Sequence, residues 1–300
     1  MSPAVEKSDT MQRCASCGIA EGDDITLKNC TACYLVRYCS VKCQKDHRPK
    51  HKKECKKRAA ELRDELLFKQ PECYLGDCPI CCLPLPLDPE TYCLNTCCCK
   101  QICQGCNQAN AKREREGRLL HKCPFCRKLM PSTHEEQFEL LMKRIEANDP
   151  VAICQMGLEK HKEGDYKAAF EYWTRAAALG DVTAHYNLSC LYGEGRGVEK
   201  DEKKERYHLE RAAIAGHPEA RNNLACMEGQ HGRYDRAVKH HIIASKLGDV
   251  GSLETLKNLC KDGFVSKEDY VAALRGHKAA VDETKSLQRE EAAKLMMQAS

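Results

Sequence analysis

The chain has 300 residues, enough for two or three compact units, and a formal charge of +4, too small to point to any class of partner for the chain as a whole. No stretch is long and apolar enough to span a membrane, and residues 1–11 contain no apolar core of a secretory leader, so a disulfide framework is not the expectation. Of the 23 cysteines, 19 lie between Cys14 and Cys126, so the expectation is an intracellular protein, nuclear or cytoplasmic, whose thiolates hold metal rather than form disulfides.

The first cysteine block reads as four pairs: Cys14 with Cys17, Cys30 with Cys33, Cys39 with Cys43, and His51 with Cys55. A Cys-x-x-Cys loop lets two sulfurs converge on one tetrahedral zinc, and an x3 spacing sets two ligands on successive helical turns. Eight ligands mean two zinc ions, and a segment this short needs them to fold. With Tyr38-Cys39-Ser40 and Cys43-Gln44, residues 14–55 resemble a MYND-type zinc finger. The resemblance implies interleaved sites, with Cys14, Cys17, Cys39 and Cys43 on one zinc and Cys30, Cys33, His51 and Cys55 on the other. The family's aromatic residue three positions before the last His is Arg48 here. His47 reads as a surface neighbour of His51. The basic run 45–58 is read first as a solvated helix face, since no interleaved aromatic rings offer bases a stacking platform.

A second block spans residues 78–127. Cys78-Pro79-Ile80-Cys81 and Cys123-Pro124-Phe125-Cys126 bracket Cys97, Cys98, Cys99, Cys103 and Cys106. This block resembles a RING-type finger, which implies one site of Cys78, Cys81, Cys103 and Cys106. The second site takes Cys123 and Cys126 with two sulfurs of the run 97–99; Cys97 with Cys99 is one solution, and Cys98 can replace either. The usual His is missing, and Lys100 cannot ligate zinc. Cys73, Cys82 and Cys93 have no ligand partner in this scheme and read as buried or free thiols. In RING fingers active in ubiquitin transfer, an apolar residue in the first knuckle, a Pro in the last and a basic residue after the last cysteine contact the charged conjugating enzyme. Ile80, Pro124 and Arg127 match those places, and such catalysis works by positioning, with no catalytic nucleophile from this chain.

After a polar linker at 131–149 the sequence repeats. Aligning Asp149, Asp181, His217 and Asp249 brings Ala152, Ala184, Ala220 and Ser252 into register, with Met156, Leu188, Leu224 and Leu256 four positions later. A period of about 32–36 residues is that of a helix-turn-helix solenoid. Small pairs at Ala176-Ala177, Ala212-Ala213 and Ala244-Ser245 let helices approach, and Gly180, Gly216 and Gly248 stop them. The segment resembles Sel-one-like repeats, relatives of tetratricopeptide repeats, over roughly residues 152–283. Trp173, Tyr166 and Tyr186 read as inter-helix packing, and Cys154, Cys190, Cys226 and Cys260 as small core residues. The glycine loop at 192–198 is a helix connector, lacking the Gly-Lys-Ser/Thr ending of a phosphate cradle. A closing helix at 278–297 reads as a solubilising cap.

The expected architecture is multidomain: two small zinc-stabilised fingers at 14–55 and 78–127, an all-α repeat solenoid at 150–284, and a helical cap or tail at 285–300. Sixteen ligand places imply four zinc ions. The function this points to is an adaptor that holds proteins together through the solenoid and the first finger. Its rival is a RING-type ubiquitin-protein ligase that recruits substrate through those modules and engages a ubiquitin-conjugating enzyme. A nucleic-acid binder using the patch 45–58 ranks third.

Overall fold

Most helix starts among the described residues are set by side chains that accept from orphan backbone N–H groups. In the computed structural model, which describes residues 13–299, Ser40 opens helix α1 (Val41–Leu67) by accepting from the Cys43 amide at 3.2 Å. Residues 1–11, read above for a leader, lie outside the described residues. The chain divides into two units, Met1–Lys69 and Gln70–Ser300.

In the first unit a hairpin of β1 (Lys28–Asn29) and β2 (Arg37–Tyr38) precedes α1. Its buried apolar set is Cys14, Leu27, Cys30, Cys33 and Tyr38, so most of the core is thiol. Helix α1 is polar on nearly every face, carries Pro49 inside it, and buries only His51 and Leu67 along its 27 residues. Such a helix lacks the apolar stripe that normally holds one in place.

The second unit begins with a hairpin of β3 (Tyr92–Asn95) and β4 (Lys100–Cys103), followed by α2 (Gln104–Glu116). The supposed linker then folds as α3 (His134–Glu146), because Thr133 Oγ1 accepts from the Glu136 amide, Glu136 accepts in turn from the Ser132 amide just before the helix, and Leu141 and Ile145 supply a buried stripe. Eight helices follow as four antiparallel pairs: α4 (Pro150–Lys162) with α5 (Tyr166–Ala178), α6 (Val182–Glu194) with α7 (Glu202–Ile214), α8 (Pro218–Gln230) with α9 (Tyr234–Lys246), and α10 (Val250–Lys261) with α11 (Lys267–Glu283).

The repeat register read from the sequence is the packing register. Asp149, Asp181 and Asp249 are the N-caps of α4, α6 and α10, while His217 stands at the same place before α8 without a side-chain cap bond. Ala152, Ala184, Ala220 and Ser252 are fully buried, as are Leu188, Leu224 and Leu256 within 1%. Gly180, Gly216 and Gly248 end α5, α7 and α9 with φ of 92°, 92° and 100°, a left-handed stop that a side chain would strain. Of the repeat cysteines, Cys154 is buried and Cys190 and Cys260 are half-buried, but Cys226 is exposed: it falls on the outer side of α8, next to the buried Leu224 and Ala225. The expected closing helix is broken. Helix α11 ends at Glu283, and α12 (Leu287–Ala299) turns back to pack on α2 of the finger.

Trp173 is 2% exposed and donates from Nε1 to the Cys154 carbonyl at 3.1 Å. A Cβ on Gly157 would lie 2.4 Å from that same Nε1. Gly157→Ala is therefore expected to destabilise this unit by on the order of 1–2 kcal/mol net, overpacking of about 1–3 kcal/mol outweighing up to about 1 kcal/mol of better helix propensity. Chemical unfolding followed through the fluorescence of Trp173, the chain's single tryptophan, measures it, and an unchanged or raised midpoint contradicts the packing described.

Candidate metal centres

Four knuckles share one backbone device. After each Cys-x-x-Cys the next residue is left-handed: Gly18, Tyr34, Cys82 and Arg127 have φ of 76°, 58°, 55° and 63°. Each returns its N–H to the carbonyl of the first cysteine, at 2.9, 2.9, 2.9 and 3.0 Å. For the three non-glycine residues this conformation costs roughly 1–2 kcal/mol, which the closed ligand loop must offset.

The knuckles and the segments after them converge into four groups. Cys14, Cys17, Cys39 and Cys43 form the first, and Cys30, Cys33, His51 and Cys55 the second. Cys78, Cys81, Cys103 and Cys106 form the third, and Cys97, Cys98, Cys123 and Cys126 the fourth. Within each group every ligand atom lies within 4.8 Å of the others. Neighbouring sulfurs stand at 3.6 Å (Cys17 to Cys39, and Cys39 to Cys43), 3.8 Å (Cys30 to Cys55, and Cys81 to Cys103) and 3.9 Å (Cys98 to Cys123). Tetrahedral zinc with bonds of about 2.3 Å sets its sulfurs about 3.8 Å apart, so these donor sets fit zinc. His51 completes the second group with Nε2 at 3.1 Å from Cys33 Sγ.

Electrostatics agree with that fit. Burial opposes ionisation of the Cys14 thiol, but backbone hydrogen bonds at Cys17, Cys39 and Ser16 prevail and lower it to about 6. Against the same burial, backbone bonds at Cys81, Cys103 and Ile80 bring Cys78 down to about 7. Cys30 and Cys126 are lowered likewise, so each group has one thiol primed as thiolate. The neighbours move the other way: hydrogen bonds to Cys17 and Cys43 raise Cys39 to about 12, and burial followed by bonds to Cys33 and Cys30 raises Cys55 to about 12. A first thiolate resists a second in the same small volume, and a dication removes that resistance.

The alternative of Cys97 with Cys99 is not what the fold brings together. Cys98 Sγ faces Cys123, Cys97 Sγ lies 3.3 Å from Cys126 Sγ, and Cys99 turns away. The reason is local. The turn from Asn95 to Lys100 is closed by the Cys98 and Cys99 amides donating to the Asn95 carbonyl, which leaves Cys99 left-handed at φ 53°. That twist sends its side chain into the core formed by Leu141, Ile145 and Ala152. Burial, with Asp149 adding to it, raises the Cys99 thiol to about 11. Lys100 is exposed. Cys73 and Cys93 are half-buried, Cys93 accepting from the Asn107 amide, and Cys82 is exposed.

Two positioning groups escape a sequence reading. His47, expected at the surface, is half-buried: it stacks on His51 with centroids 5.7 Å apart, and its Nδ1 pairs with Tyr38 Oη at 3.1 Å. The spacing of Cys43, His47, His51 and Cys55, every fourth residue on one helix stripe, is the signal that could have revealed it. In the second finger Glu114 is buried, accepting from the Lys122 amide at 3.2 Å and pairing with His121 at 2.9 Å, and so ties α2 to the approach to Cys123. Ile80 is 42% exposed, Pro124 is half-buried, and Arg127 is exposed.

The second finger is built into the solenoid. Leu94 and Cys99 pack in the core of α3 to α6, and Tyr74 stacks on His217, which stacks in turn on Tyr186, at 4.3 and 4.4 Å. From the far end Arg289 of α12 donates to the Pro84, Leu83 and Thr284 carbonyls and to Cys81 Sγ. Gly105 of α2 makes room for it, since a Cβ there would lie 3.0 Å from the Arg289 side chain.

With this geometry in view, comparison with known families assigns two parts of the chain. The MYND finger family matches residues 8–55, and the Sel1 repeat family matches 152–181, 182–217 and 218–249. The chain carries a MYND finger and Sel1 repeats. MYND fingers bind zinc, so this is a zinc-binding protein, and both modules generally mediate contacts between proteins. It is similar to HcpC of Helicobacter pylori (strain J99 / ATCC 700824), 38% identical over 56 residues, 19% of each chain. It is also similar to the DAP3-binding cell death enhancer 1 of Rattus norvegicus, 34% identical over 70 residues, 23% of this chain and 14% of that one. The matches thus span under a fifth of the length of these relatives. A solved Sel1 repeat protein from Oxalobacter formigenes aligns at 23% identity with a TM-score of 0.43, over 60% of this chain and 71% of that one. Among the described residues no helix is long and apolar enough to cross a membrane.

Proposed function

We propose that this zinc protein is an intracellular adaptor in which residues 78–127 form a RING-like finger that the Sel1 solenoid holds rigidly while the MYND finger offers a separate contact surface. The observation that carries it is the shared core of Leu94 and Cys99 with Leu141 and Ile145, which makes finger and solenoid one body able to present several surfaces in fixed register. Thiol clusters of this density favour a reducing compartment. Photo-crosslinking residues placed at exposed sites of α1 and of α10 in the full chain test the reading. Distinct proteins captured from the two sites are expected, and capture no better than with denatured chain at both sites rejects it.

A second reading, a RING-type ubiquitin-protein ligase, draws on one feature. Ile80 and Phe125 are apolar side chains 42% and 43% exposed on the tips of the two knuckles, with Arg127 exposed beside the second. If a charged conjugating enzyme docks there, the full chain accelerates ubiquitin discharge, and Arg127→Ala abolishes the acceleration with zinc content unchanged, since Arg127 donates hydrogen bonds but ligates no metal. Ile80→Ala weakens docking by roughly 2–4 kcal/mol if that side chain is the central anchor. Background discharge across a broad panel of conjugating enzymes leaves the adaptor alone.

A further inference from the structure

A cleft runs between the second finger and the last solenoid helices in two lobes that share Pro86, Asp88 and Thr284. The larger lobe has a volume of about 780 Å³ and the smaller about 330 Å³, within the range of sites that hold ligands. Leu85, Leu87, Val250 and Val281 line the larger, and Ala293, Met296 and Met297 the smaller. Two of these side chains are left in water at apolar cost: Val250 is 67% exposed and Met297 80%.

The rim is predominantly acidic. Glu72, Asp77, Asp88, Glu90, Glu283 and Glu290 line the two lobes, all exposed, and none forms an ion pair among the described residues. The cations that line the cleft are largely spent. Lys285 pairs with Asp282 at 2.7 Å, and the Arg289 guanidinium is taken up by carbonyls and Cys81, which leaves Lys246. A cleft lined by both apolar side chains and exposed carboxylates matches a segment whose side chains alternate between apolar and basic, as they do on the two faces of an extended chain. The thioethers of Met296 and Met297 let the apolar lining adapt to more than one apolar side chain.

We infer that this cleft is a docking groove for an extended segment of a partner protein in which lysine or arginine alternates with apolar residues. The inference deepens the adaptor reading and rests on it. Opposite charge at the rim steers such a segment and weakens with salt, while apolar contacts fix its register.

The test uses the full zinc-loaded chain and a fluorescein-labelled peptide of alternating lysine and leucine, with an alternating glutamate and leucine peptide as control. Saturable anisotropy with the first and none with the second is expected. Glu72→Lys combined with Glu283→Lys should weaken binding at least about tenfold, and Val250→Asp should weaken it separately, with zinc content and helical signal unchanged. Equal binding of both peptides, or binding that neither set of substitutions alters, overturns the groove. So does a cleft already filled by a second copy of the chain, seen as a stable dimer that the peptide fails to disperse. If the peptide does not bind while the crosslinked partners of the full chain persist, the groove fails and the adaptor reading stands.

Discussion

Removing zinc is expected to unfold the MYND finger and to leave the Sel1 helices folded. Structural zinc contributes on the order of 10–16 kcal/mol per site at neutral pH, more than a typical domain's whole stability of about 5–15 kcal/mol. Nothing in residues 14–55 can replace it, since three of the five side chains in the buried apolar set, Cys14, Cys30 and Cys33, are themselves ligands. Without metal their burial works against the thiolates it now encloses. Helix α1 has no reserve either: with two buried residues and an internal proline, it depends on Cys43, His51 and Cys55 being tied to the hairpin. The solenoid stands on other ground, for Ile153, Leu188, Leu209, Leu224 and Leu256 are buried within 1% and none is a metal ligand. After chelation circular dichroism should keep most of its helical signal, and Trp173 fluorescence should stay native. Metal analysis before chelation should find four zinc ions per chain, one for each four-ligand group. Two or fewer tightly bound ions, or loss of the Trp173 signal on chelation, would contradict this division of stability.

Replacing adjacent cysteines should produce opposite failures. Cys98→Ser removes a sulfur from the fourth group, lowers the zinc count from four to three, and frees the Cys123 to Cys126 knuckle. The left-handed Arg127 then loses the closed loop that stabilised it, so the exposed end of the finger loosens as a unit. Cys99→Ser should retain all four ions and instead destabilise the junction with α3 and α4, by about 1–3 kcal/mol for a hydroxyl buried in an apolar core. Zinc stoichiometry with denaturant unfolding of both variants reads the two effects separately. The reverse pattern, zinc lost from Cys99→Ser and kept in Cys98→Ser, would make Cys99 the ligand.

The Cys98 and Cys99 comparison marks where sequence reading stops. Ligand pairs were legible because two ligands three or four residues apart share one loop or helical turn, and the repeats were legible because Ala152, Ala184, Ala220 and Ser252 meet the same helix–helix crossing each time. Both are short-range rules, in which spacing dictates geometry. The sequence by itself thus determined zinc clusters and an α-solenoid. Which of two adjacent thiols ligates depends on the sign of one φ angle, set by how the turn from Asn95 docks on Leu141 and Ile145. The segment before Asp149 looked like a linker because only a few of its side chains are buried, and it becomes a helix of the core once the finger and α4 give Leu141 and Ile145 something to cover. The return of α12 leaves the weakest trace in sequence. Arg289 bonds chiefly to main-chain carbonyls at Leu83 and Pro84, about two hundred residues earlier, and every residue has a carbonyl, so no pattern of side chains announces the contact. Tertiary structure alone decided that the second finger and the solenoid are one body with a cleft between them, because the contacts that join them are long-range and pair backbone, small residues and single rings rather than repeating motifs.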